Sequence, residues 1–145
     1  MPGFDASAIE RAVARCASKR REIAAAYVFG SVATGRTRND SDVDVAVLLA
    51  RPLPAGRGLP FRLELMAELG SALRRSDVEV VMLNDASPLL AHRVLSKGHL
   101  VFERSKSTRV RFHVRTASQY ADLIPMYETQ IRYLKRHARS GGLRG

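Results

Sequence analysis

Two apolar, β-prone runs, "EIAAAYVFG" (residues 22–30) and "DVDVAVLLA" (residues 42–50), stand only eleven residues apart, and no other feature constrains the fold of this 145-residue chain as tightly. The second run alternates strictly before turning wholly apolar, so both read as strands. A parallel return between two strands needs a dozen or more residues, normally a helix. Here the connector ends in the turn-like "RNDS", which leaves no room for one. That excludes the reading invited by "GSVATGRT", residues 30–37, which nearly spells the phosphate-cradling GxxxxGK[ST] with Arg36 in place of lysine. Such a motif must open a long helix. Arginine also offers a planar fork where the motif uses a compact point charge.

The remaining punctuation predicts alternating helices and strands. "DASAIERAVARCASK" (residues 5–19) spaces Ile9, Val13 and Cys16 as a helix, with Asp5 or Ser7 as its cap. "RPLPAGRGLP" is a loop, and from Leu59 the residues Leu63, Met66, Gly70 and Leu73 define one face of a second helix ending near Arg75. "DVEVVML" is a third strand. "SPLLAHRVLSKG" is a helix, with Ser87 as cap, Pro88 in the first turn and Gly98 after the last. "HLVFE" is a short strand. Residues 105–138 are expected to be mainly helical, striped by Tyr120, Leu123, Ile124, Tyr127, Ile131 and Leu134, with a kink or break at Pro125. The expectation is one domain over 1–145, with a core over 5–104, a basic helical extension over 105–138 and a frayed tail, 139–145.

Charge is concentrated at the C-terminal end. Residues 1–103 hold 14 Lys and Arg against 12 Asp and Glu, a balance of +2; residues 104–145 hold 10 against 2, a balance of +8, making up the total of +10. Such a surface attracts an acidic protein, RNA or polyphosphate, although no clustered aromatics favour nucleic acid. The single cysteine, Cys16, sits on an apolar helical face and reads as a small core residue. A reducing, cytoplasmic setting is expected, since no stretch approaches the roughly 20 apolar residues of a membrane span.

The chemistry is carried by carboxylates at the strand beginning. Asp42 and Asp44, two apart, project from one face while Val43, Val45 and Val47 project from the other. Asp77 and Glu79 repeat this arrangement in "DVEVV". Acids converging on one sheet face repel one another unless cations neutralise them, and hard oxygen donors suit Mg²⁺ or Mn²⁺. The Gly30-Ser31 turn ahead of them can bring free amides and a small hydroxyl against a triphosphate, with glycine permitting close approach.

Gly30-Ser31, ten residues, then Asp42-Val43-Asp44, followed by an acid on a later strand, resembles the nucleotidyltransferases of the DNA polymerase β type, and in a chain this short their minimal MntA antitoxins. "VEVVMLNDASPLLAHRVLSKGHLVFER" is similar to the same proteins, so the resemblance covers roughly residues 20–105. It implies an α+β fold, a small mixed β-sheet flanked by helices with a C-terminal helical extension. It further implies phosphate contacts from Gly30 and Ser31 and metal binding by Asp42, Asp44 and Glu79. Glu79 stands where the family usually has aspartate, and Asp77 is the reserve for that position; Arg36 and Arg38 are candidate phosphate contacts. By resemblance the reaction is AMP transfer from ATP, with Mg²⁺ as cofactor, to a tyrosine of a HEPN-type RNase toxin (HepT-like) with which the chain would assemble.

Two other readings stay open at this point. One is the same chemistry on a small molecule of the aminoglycoside kind. The other is a non-catalytic antitoxin or RNA-binding module that acts by contact alone. "RYLKRH" (Arg132 to His137) matches the R-x4-H of HEPN RNases, but without a surrounding four-helix domain it is taken as chance.

Overall fold

A computed structural model describes residues 5–30 and 42–139. In chain order these form helix α1 (Ala6–Ser18), strands β1 (Ile23–Phe29) and β2 (Val43–Leu49), helix α2 (Gly58–Leu73), strand β3 (Val78–Met82), a 3-10 turn (Leu83–Asp85), helix α3 (Pro88–Lys97), strand β4 (His99–Glu103) and helix α4 (Lys106–Arg139). The sheet runs β3-β2-β1-β4. β1 pairs antiparallel with β2 and β4, whereas β2 and β3 are parallel and use α2 as their crossover. The expected small mixed sheet with flanking helices and a long helical extension is the fold observed.

Local chemistry sets the helix starts. Asp5 accepts the Ala8 amide at 3.2 Å, Ser87 accepts the Leu90 amide at 3.2 Å ahead of Pro88, and Ser105 accepts the Thr108 amide at 3.2 Å. Each satisfies an amide that the first turn leaves unpaired.

The sheet has a helical layer on both sides. Val43, Val45, Val47 and Leu49 of β2 pack with α1 (Ile9, Val13, Cys16) and α2 (Phe61, Leu65, Leu69). Ala46 and Leu48 face Leu83, α3 (Ala91, Val94) and Phe112 of α4. Cys16 is buried as expected, and burial raises its thiol pKa. A bulge between Ile23 and Ala25 lets Ile23 and Ala26, three residues apart, enter the same core. Past the end of β3, Asn84 substitutes for a strand: its side chain accepts from Leu49 N at 2.8 Å and donates to Leu49 O at 3.2 Å.

Two helices differ from the sequence expectation. In α2 the buried stripe is Phe61, Leu65 and Leu69, while Leu59 and Leu63 are 61% and 50% exposed. That helix is apolar nearly all round, so its periodicity does not choose a face. α4 continues through Pro125 without a break, and Thr129 Oγ1 donates to the Pro125 carbonyl at 2.9 Å. Its expected stripe is only half covered at Tyr120, Leu123, Ile124 and Tyr127, and Ile131 and Leu134 are exposed. Gly98 follows the last turn of α3 as expected, in extended conformation, where a Cβ would stand 2.5 Å from the Val94 carbonyl oxygen and 3.3 Å from Phe29 Cβ.

Candidate active site

The strand registers assemble the acids. Phe29 lies opposite Asp44 in the β1–β2 ladder, which sets Gly30 beside the Asp44 side chain. Gly30 has φ +74°, and a Cβ built on it would overlap the Asp44 carboxylate, 3.2 Å from Cγ. Backbone handedness and space therefore both demand glycine here. In the parallel β2–β3 ladder Asp44 aligns with Glu79, so these two share a face, while Val43, Val45, Val78 and Val80 are buried on the other. Asp42 lies just before β2 and is exposed.

Electrostatics couples the three. Burial raises the Asp44 carboxyl above the usual aspartate value, and the charges of Asp42 and Glu79 push it further the same way. Yet the acids are not gathered into a cage: among the described residues no group of three His, Cys, Asp or Glu is close enough to hold an ion. Glu79 turns aside at its tip. Arg62 of α2 donates through Nε to the Val80 carbonyl at 2.7 Å and sets Nη2 3.5 Å from Glu79 Oε2.

Asp77 is held differently. Arg75 donates to both its oxygens, Nε to Oδ1 at 2.8 Å and Nη2 to Oδ2 at 2.6 Å, which lowers the Asp77 carboxyl. The Asp77 carbonyl accepts the Val43 amide at 3.1 Å, pinning the start of β2. Arg75 also feels the charge of Asp42, so a guanidinium stands by the acid end. Sequence reasoning missed Arg62 and Arg75. Arg75 had a signal, an opposite charge two residues from Asp77; Arg62, seventeen residues from Glu79, had none. Ser31, Arg36 and Arg38 lie outside the described residues.

The donor set fits a hard divalent cation. Asp42, Asp44 and Glu79 offer hard oxygen donors in one field without converging on a single point, and the innermost, Asp44, is destabilised as an anion by the other two. The comparisons decide the family: residues 12–107 match Polymerase beta, Nucleotidyltransferase. The chain belongs to this nucleotidyltransferase family.

The match to the nucleotidyltransferase family runs from within α1 to the start of α4 and takes in all four strands. The protein adenylyltransferase MntA of Shewanella oneidensis is 37% identical over 97 residues, 67% of this chain and 66% of that protein. Among solved structures, a toxin–antitoxin crystal structure with AMP-PNP superposes with a TM-score of 0.73 at 29% identity, covering 87% of this chain and 98% of that one. The MNT antitoxin complexed with the tri-AMPylated HEPN toxin of Shewanella oneidensis gives 0.70 at 26%, covering 90% and 99%. These superpositions reach well into α4, beyond the family match. Among the described residues no helix is long and apolar enough to cross a membrane.

Proposed function

We propose that this chain is an adenylylating antitoxin that transfers AMP from ATP to a tyrosine hydroxyl of a HEPN-type toxin. The observation that carries the reading is the register that sets Gly30, bare of side chain, against Asp44 and aligns Asp44 with Glu79. The similarity to complexes described with AMP-PNP and with an AMPylated toxin supports the nucleotide and the acceptor.

In this reading Gly30 and Ser31 admit the triphosphate to the backbone. Asp42, Asp44 and Glu79 are the residues that would hold Mg²⁺ or Mn²⁺, which when bound neutralises phosphate charge. Released from Arg62, Glu79 accepts the tyrosine proton. The phenolic oxygen bonds to the α-phosphorus, the bond from that phosphorus to the bridging oxygen breaks, and pyrophosphate leaves.

A second reading, neutralisation by contact alone, is favoured by the exposed Ile131, Tyr133 and Leu134 among the basic residues of α4. One experiment separates them. The purified chain is incubated with ATP, Mg²⁺ and the product of the neighbouring gene, and the partner's intact mass and RNase activity are measured. Addition of AMP that is lost in Asp42→Asn/Asp44→Asn, together with neutralisation, is expected. An unchanged partner mass, or full neutralisation by the double variant, overturns the transfer reading.

A further inference from the structure

A second concavity lies at the far end of the sheet. β2 begins at the acids and ends at Leu49, roughly 16 Å from Asp44 at the usual rise of a strand. There the β2–α2 loop, the 3-10 turn and the first turns of α4 line an open hollow of about 780 Å³. Its volume is that of a small-ligand site.

Its charge is what distinguishes it. Arg51 comes from the loop, and Arg111 and Arg115, one turn apart on α4, come from the opposite side; the sole carboxylate in its lining is Asp85. Four arginines elsewhere are matched by carboxylates: Arg20 with Glu64 and Glu68, Arg62 with Glu79, Arg75 with Asp77, Arg109 with Glu103. No ion pair is formed among the described residues by Arg51, Arg111 or Arg115, although Arg115 stands 5.5 Å over the Phe112 ring. Three cations converging from two segments on one hollow call for an anion, and guanidinium forks match phosphate oxygens in pairs. The rest of the wall supplies apolar surface, including Leu53 and Met82, against which a ring can lie.

We propose that this cavity is a second site, for a nucleoside mono- or diphosphate, distinct from the acid end of the sheet. The arginines hold the phosphate, the apolar wall takes the base, and Asp85 accepts from a sugar hydroxyl. A longer nucleic acid fits less well: beyond Arg115 the next charged residues of α4 are Asp122 and Glu128, so the basic track does not continue past Arg115. Asn84, already bonded to both polar atoms of Leu49's backbone, fixes the floor.

The test is an NMR titration of the full chain without divalent metal, using AMP, inorganic phosphate and a short single-stranded RNA as probes. AMP is expected to shift the amide signals of Leu53, Asp85 and Arg111, and Arg111→Glu/Arg115→Glu to weaken that binding at least about tenfold. Both positions are exposed, and Arg51→Glu on the loop serves as an independent variant. The proposal is overturned if AMP leaves these signals unmoved, if inorganic phosphate binds as tightly as AMP, if RNA binds there more tightly than AMP, or if the variants bind AMP unchanged. Because AMP transfer is read separately on the partner's mass, failure here leaves that reading standing, and the reverse.

Discussion

A methyl group at Gly30 would be opposed twice, by the left-handed backbone and by the Asp44 carboxylate. Gly30→Ala is expected to cost about 1–2 kcal/mol in urea denaturation and about a hundredfold in transfer rate through misplacement of the acid. Asp44 itself works against stability. Its folded pKa is raised, so the folded state holds a proton that the unfolded chain has already released, and stability falls as pH rises from the ordinary aspartate value through the folded one. Asp44→Asn should therefore raise Tm by a few degrees at neutral pH, with the gain vanishing below the aspartate range, while transfer is lost. Calorimetry at two pH values checks it. The acids after the crossover divide similarly. Glu79→Gln should abolish transfer, whereas Asp77→Asn, which loosens the Arg75 clamp, should cost about 1 kcal/mol and retain transfer within a few-fold; retained activity in Glu79→Gln would remove Glu79 from the site.

Among the elements, α2 ends on a residue poorly suited to its conformation: Arg74 caps it at φ 54°, left-handed, with its amide bonded back to Gly70 and Ser71 carbonyls. Arg74→Gly is expected to stabilise the fold by about 0.5–1 kcal/mol, read as a higher urea midpoint at unchanged slope. This same helix shows where sequence stops informing. The caps at Asp5 and Ser87 and the alternation of Val43 to Val47 are local and were legible, and with them the strands. Which stripe of α2 faces inward is decided by the sheet it lands on, and a helix apolar all round carries no such record. Nor does local pattern show that Phe29 meets Asp44 or that Asp44 meets Glu79, because register is a property of two segments at once. The spacing of Gly30 from Asp42 pointed to the site only through family resemblance. Pro125 does not break α4, because a proline rule set by lost hydrogen bonds does not end a helix whose neighbouring turns persist. The far cavity was invisible, since Arg51 and Arg111 stand sixty residues apart in the chain.

For the whole molecule, charge separates the work. The acids sit at one end of a sheet whose chain is nearly balanced, while the last 42 residues carry +8 of the net +10. Association with an acidic partner through α4 would be steered by that field and is expected to slow markedly as salt rises, with dissociation changing far less. Surface plasmon resonance at several ionic strengths measures both; an association rate indifferent to salt would exclude electrostatic steering by the extension.

The central place of β1 has a consequence for biosynthesis. Its two neighbours arrive at different times: β2 begins 14 residues after β1 ends, but β4 begins 70 residues after, at His99. Until β4 emerges from the ribosome, the wholly apolar "IAAAYVF" presents an unpaired edge, the kind of surface that recruits strands from other chains. Arg104, the residue after β4, then closes the seam by donating to the carbonyls of Ser18 at 2.8 Å and Ile23 at 3.1 Å. A nascent chain from which β4 has not yet emerged is thus a form of this protein in need of a chaperone, and one that has emerged through Arg104 can already complete its sheet.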